Sequence, residues 1–154
     1  MIAGNQLSSR LHPIHTTILV RIAGNVMTAK ILLVDDNVIQ AATRKTILSR
    51  AGRSVVVACG AQQALAMLDD SQMAASVGLV VTDHWMPGMN GSQFVTLLRG
   101  RLPEVPILVL SGLPDVEAEY EGFDVTFRIK PMAPDHLIAL VGALLDDPPM
   151  SRTA

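Results

Sequence analysis

Leu79-Val80-Val81-Thr82-Asp83-His84-Trp85-Met86-Pro87-Gly88-Met89-Asn90-Gly91 decides the architecture of this chain. An apolar run stops on one aspartate, and a Met-Pro-Gly turn separates it from a helical stretch, Gly91 to Arg99. Apolar runs without alternation are the strands expected of a parallel sheet covered on both faces. Further runs share this property. Ile31 to Val34 precedes Asp35-Asp36, Ser54 to Ala58 stands alone, Val105 to Leu110 precedes Ser111, and Val125 to Ile129 precedes Lys130-Pro131. Helical spacing fills the gaps at Val38 to Arg50, Ala61 to Asp70, a short Asp115 to Glu121, and Pro134 to Leu145. Five strand-helix units give a doubly wound α/β domain with helices on both faces of the sheet. Gly52 fits a helix C-cap and Pro134 the first turn of the last helix.

Asp35, Asp36, Asp83, Ser111 and Lys130 all fall at the C-terminal ends of strands. Open parallel sheets form their sites in the crevice beyond those ends, so one pocket collects all five. Carboxylates gathered in a pocket repel one another and invite a hard divalent cation, and oxygen ligands beside a phosphoryl group point to Mg²⁺. The Lys130 ammonium and the Ser111 hydroxyl then suit the phosphoryl oxygens.

A chain of 154 residues that is 49% hydrophobic suits one domain with a real core. The net charge of -2 leaves no basic footprint for nucleic acid. No apolar stretch reaches the roughly 18 residues of a membrane helix, and the run at Thr17-Ile18-Leu19-Val20 is too short for a signal peptide and is closed by Arg21. The single cysteine, Cys59, is read as the end of a buried strand, and a reducing cytoplasm is the expected location. Residues 1–26 lack sustained periodicity and are read as a flexible leader or a mis-assigned start, with Met27 as an alternative start. The compact domain is expected over 27–147, and 148–154 form a tail after Pro148-Pro149.

Four segments, Ile31-Leu32-Leu33-Val34-Asp35-Asp36-Asn37, Val80 to Gly91, Ile107-Leu108-Val109-Leu110-Ser111-Gly112 and Phe127-Arg128-Ile129-Lys130-Pro131, together resemble the receiver domain of bacterial two-component response regulators. The resemblance implies a flavodoxin-like fold with strand order 2-1-3-4-5. It implies that Asp83 accepts a phosphoryl group from a histidine kinase or histidine phosphotransfer protein. Mg²⁺ would be held by Asp36, Asp83 and the Trp85 carbonyl, with Asp35 acting largely through water. Lys130, Ser111 and Gly112 would contact the phosphoryl group, Ser111 and Phe127 would form the switch, and the Lys130-Pro131 bond would be cis. The first helix around Ile39, Ala42 and Thr43 would dock the histidine donor. On this footing the chain is a signalling module rather than an enzyme, apart from self-phosphorylation and autodephosphorylation. A narrower similarity, to receivers that stand alone or are appended to hybrid kinases in alphaproteobacteria, rests on Asp83 to Met89 and the shortened fourth helix.

Several residues have plainer readings. Adjacent aspartates commonly cap helices, and one of Asp35 and Asp36 is expected to assist the first helix. His84 beside the site is read as structural. Gly88 and Gly91 are read as shaping the turn into the third helix, since the lysine and hydroxyl of a phosphate loop are missing. Phe127 is equally a core aromatic. Gly112, Pro114 and Gly122 leave room only for a short or irregular fourth helix. Trp85 and Leu113 are placed to wall the phosphoryl group from water. The last helix is apolar on more than one face, which suggests an interface through Ile138 and Leu145, either a homodimer or packing beneath the leader. Two rival functions remain. One is a phosphate-independent pseudo-receiver that works as a binding module. The other is a haloacid-dehalogenase-type phosphatase, against which Asp35 and Asp36 lack that class's Asp-x-Asp spacing.

Overall fold

A computed structural model describes residues 19–22 and 25–146. It opens with an antiparallel pair, β1 (Leu19–Ile22) and β2 (Asn25–Thr28), in a region expected to lack regular structure. The rest of the expected leader and the expected tail lie outside the described residues. The domain proper runs β3 (Lys30–Val34), α1 (Val38–Arg50), β4 (Ser54–Ala58), α2 (Ala61–Leu68), α3 (Ser71–Ser76), β5 (Val77–Asp83) and α4 (Gly91–Arg101). It continues through β6 (Ile107–Ser111), a 3-10 helix (Pro114–Tyr120), β7 (Thr126–Ile129) and α5 (Pro134–Asp146). The five-stranded sheet is parallel, in the order β4-β3-β5-β6-β7. Numbered within the sheet, that is 2-1-3-4-5.

Successive strand side chains point to opposite faces, and here both faces are covered. From β3, Leu32 and Val34 pack with Ala64, Leu65, Phe94 and Leu98 of α2 and α4. Ile31 and Leu33 pack instead with Leu48 of α1 and Leu137, Val141 and Leu145 of α5. Each such buried aliphatic or aromatic side chain contributes about 1.5–3 kcal/mol, so the two apolar layers dominate the stability of the fold.

Three expectations are corrected at this level. The stretch read as one helix to Asp70 breaks at Leu68, because the Asp70 carboxylate accepts the Gln72 and Met73 amides and so starts α3. Cys59 lies one residue past β4 and is exposed rather than buried. Leu145 belongs to the core, so it offers nothing to a dimer interface, while Ile138 is partly buried against the same cluster. Gly52 does end α1 in the left-handed region, at φ 84°, and Pro134 does open α5. Among the described residues, no helix is long and apolar enough to cross a membrane.

Candidate functional site

Sheet register builds the site. Val34 of β3 stands opposite Thr82 of β5, so the next residue on each strand, Asp35 and Asp83, emerge side by side. Asp83 pairs with Leu110, and Ser111 pairs with Ile129, which brings Ser111 and Lys130 to the same edge. The Lys130 amide donates to the Ser111 carbonyl at 2.7 Å, and the Lys130-Pro131 bond is cis.

Asp35, Asp36 and Asp83 each present one oxygen within 4.8 Å of the others. Asp35 and Asp83 are buried, whereas Asp36 is exposed. The Lys130 ammonium lies 2.8 Å from Asp83 Oδ1. That pair is an ion contact without hydrogen-bond alignment, since the same buried oxygen accepts no hydrogen bond. Three carboxylates that converge here, with one buried oxygen lacking an aligned hydrogen bond, are the donor set a hard divalent cation takes, so the residues present fit Mg²⁺.

Electrostatics at Asp35 agree. Burial pushes its carboxyl up to about 6; the Asn37 amide opposes the shift, the Asp83 carboxyl adds to it, and the Arg44 guanidinium again opposes it. The desolvation of a nearly inaccessible carboxylate outweighs the ion pair, which is why the direction is upward despite a cation at hydrogen-bond distance. The sign follows from linkage: a raised carboxyl favours the fold below its ordinary value of 3.8, and that advantage is lost as pH rises through about 6. Burial and the neighbouring Asp83 carboxyl thus outweigh the Arg44 cation already beside Asp35.

The cap of α1 is not one of the aspartates. Asn37 accepts the Ile39 and Gln40 amides, and Asp35 Oδ1 accepts the Asn37 amide at 2.8 Å, bracing the cap from behind. Asp35 thus assists the cap without making it, and neither aspartate accepts the first amides of the helix.

One residue in the pocket was missed from sequence. Arg44 reaches in from α1, with Nη1 2.6 Å from Asp35 Oδ2 and 3.6 Å from Asp83 Oδ2. Its signal was present: Gln40 and Arg44 are four apart and therefore share one face of the helix that starts beside the site. Gln40 Oε1 lies 3.4 Å from Arg44 Nη2 and 3.5 Å from Lys130 Nζ, so it bridges the two cations.

On the other side of Asp83, Ser111 is buried and its hydroxyl donates to the Leu113 carbonyl at 3.1 Å while accepting the Leu113 amide at 3.0 Å. Gly112 continues the loop between them. Phe127 is already inward and packs at 5.7 Å, ring to ring, on Tyr120. His84 is structural as expected: it is buried, and its Nδ1 is hydrogen-bonded to the Tyr120 hydroxyl, which burial keeps un-ionised by pushing its pKa upward. This contact also corrects the role of Gly91. Gly88 does shape the turn, at φ 83°, but Gly91 is required by close approach: a Cβ there would overlap the Tyr120 hydroxyl and meet the His84 Cα at 3.1 Å. Trp85 and Leu113 project into solvent at the rim of the crevice, as do Val38 and Ile39. The fourth helix is indeed irregular, a 3-10 turn from Pro114 to Tyr120.

Comparison with known proteins bears on this geometry. Residues 31–142 match the response regulator receiver domain family. The hydrogenase transcriptional regulatory protein HoxA of Cupriavidus necator is 33% identical over 73% of this chain, which spans 23% of HoxA. FixJ of Bradyrhizobium diazoefficiens, a transcriptional regulatory protein, is 31% identical over 75% of this chain, which spans 57% of FixJ. The chain thus spans between about a quarter and about half of the length of most of these curated relatives. Among solved structures, chemotaxis protein CheY4 of Vibrio cholerae superposes with a TM-score of 0.67 at 29% identity, covering 78% of this chain and 100% of that one. The receiver domain of the hybrid histidine kinase CckA gives 0.65 at 28% identity, covering 76% of this chain and 99% of that one.

Proposed function

The chain belongs to the response regulator receiver domain family, and from that membership we propose that Asp83 accepts a phosphoryl group from a histidine kinase or histidine phosphotransfer protein. Receiver domains are signalling modules that bind Mg²⁺ in an acidic pocket and interact with such donors. The observation that carries the reading is the Asp83 carboxylate, buried at the end of β5 with the Lys130 ammonium 2.8 Å away and two further carboxylates beside it.

In the proposed transfer an Asp83 oxygen attacks the phosphorus of a phosphohistidine. The phosphorus–nitrogen bond breaks, its electron pair returns to the imidazole, and that nitrogen takes up a proton. A carboxylate is a weak nucleophile toward an anionic phosphoryl group, so the charge has to be offset by groups already in place. Mg²⁺, when bound by Asp36, Asp83 and the Trp85 carbonyl with Asp35 nearby, supplies that charge neutralisation. Lys130 adds a second positive charge and leaves Asp83 Oδ1 for a phosphoryl oxygen. Ser111 gives up the Leu113 carbonyl and donates to the phosphoryl group, and the Gly112 backbone lies beside it.

The readout follows from that exchange. Moving the Ser111 hydroxyl changes the loop that leads into the 3-10 helix, and Tyr120 and Phe127 carry the change to the face lined by Glu117, Glu121 and Arg128. Trp85 and Leu113 at the rim slow hydrolysis by screening the acyl phosphate from water. On this reading the module acts in the cytoplasm through protein contacts, and the chemistry at Asp83 is its own phosphorylation and dephosphorylation.

Intact mass after incubation with Mg²⁺ and a small phosphodonor tests this, with native protein and Asp83→Ala in parallel. One labile phosphoryl group on the native chain alone is expected. No gain by either, together with a silent beryllofluoride titration, would replace the reading with a phosphate-independent binding module.

A further inference from the structure

We infer that Arg44 is a built-in counter-ion of the acidic pocket, whose guanidinium a divalent cation must displace before it can settle on Asp36 and Asp83 with Asp35 beside it. The inference rests on the metal-binding reading above and concerns what that reading leaves out, a cation supplied by the chain itself. Both oxygens of Asp35 are engaged: Oδ1 accepts the Asn37 amide at 2.8 Å and Oδ2 accepts from Arg44 at 2.6 Å. Asp83 is held between Lys130 on one oxygen and Arg44 on the other. Asp36 alone is exposed.

A dication settling among these carboxylates, directly or through one water, draws on Asp35 and Asp83, the two that Arg44 already contacts at 2.6 and 3.6 Å. Two cations within a few ångströms repel strongly in a buried pocket, so guanidinium and metal exclude each other. The Arg44 side chain is 13% exposed, which gives the displaced head a route along α1 to solvent. Arg44 therefore keeps the metal-free pocket from flying apart and sets the metal affinity lower than three carboxylates would otherwise provide.

Calorimetric titration with Mg²⁺, followed in parallel by the fluorescence of Trp85, tests this on native protein, Arg44→Met and Arg44→Lys. Lysine keeps the charge on a shorter, more strongly hydrated head and so is drawn out of the pocket. The expected order of affinity is Met above Lys above native, with Arg44→Met about tenfold tighter, equivalent to about 1.4 kcal/mol. Thermal melting supplies a second reading: with chelator Arg44→Met melts below native, and Mg²⁺ raises its Tm by more. Equal or weaker Mg²⁺ binding by a folded Arg44→Met overturns the inference while leaving the metal site intact. If Arg44→Met does not fold, Arg44→Lys binding no tighter than native overturns it. Absence of binding in native and variants alike overturns the metal reading itself.

Discussion

The two flanks of Asp83 are built on opposite principles. Toward α1 the crevice is held by charge: Asp35, Asp83, Arg44 and Lys130 neutralise one another over distances of 2.6 to 3.6 Å. Toward the 3-10 helix it is held by shape: His84 meets Tyr120 edge to face and Tyr120 tilts against Phe127, at centroid distances of 5.6 and 5.7 Å, beside a glycine that leaves room for one hydroxyl. Charge networks respond to an added ion or phosphoryl group, whereas packed rings respond to a change of volume. The first flank suits capture of the phosphoryl group, and the second suits conversion of that event into a change of surface.

Replacing one residue on each flank separates the two principles. Lys130→Met should slow phosphoryl acceptance from a small donor by about 10²–10³-fold, the usual loss when one preorganised electrostatic partner is removed. Its fold should be unaffected, and time-resolved intact mass with circular dichroism checks both. If the rate is unchanged, the charged flank does not perform the capture.

Gly91→Ala is the matching test of shape. Forcing a Cβ against Tyr120 and the His84 backbone should cost about 1–3 kcal/mol by denaturant unfolding. Tyr120→Phe, which leaves His84 Nδ1 without its partner, should cost about 1–2 kcal/mol alone. Combined with Gly91→Ala it should cost less than the sum, because the hydroxyl is the atom in the way. Strict additivity would mean that the two positions do not meet.

Smaller effects belong to the rim and the readout turn. Trp85→Asn should shorten the acyl-phosphate lifetime by less than about tenfold, under about 1.4 kcal/mol of barrier, as followed by loss of the added mass over time. An unchanged lifetime removes the water-screening role. Amides of Asp115 to Tyr120 should exchange early and gain protection with beryllofluoride, because a 3-10 turn has poor hydrogen-bond geometry and depends on side-chain anchors. Full protection without the analogue would show that the shape-held flank is as rigid as the charged one.

The architecture was legible because its signals are local. Ile31 to Val34 and Leu79 to Thr82 announce buried parallel strands by composition, and both of those strand ends carry candidate site residues. Asp35, Asp36, Asp83, Ser111 and Lys130 therefore fall at one edge on sequence pattern alone. The irregular fourth helix was legible for the same reason, since glycine and proline act on their own backbone. Misreadings arose where local signals compete: Asp70 caps a new helix inside a continuous helical pattern, and Val55 to Cys59 is apolar although its last residue has left the strand.

Local signals set the order of elements and the residue type at each strand end, because periodicity, caps and turns act within a few neighbours. Tertiary structure alone decided which partners those residues meet. The entry of Arg44 between Asp35 and Asp83, the reach of Tyr120 across 36 positions to His84, the reason for Gly91 and the inward face of Leu145 all depend on sheet register and helix docking. Those are long-range contacts fixed by packing and charge together, and no short stretch of chain contains them.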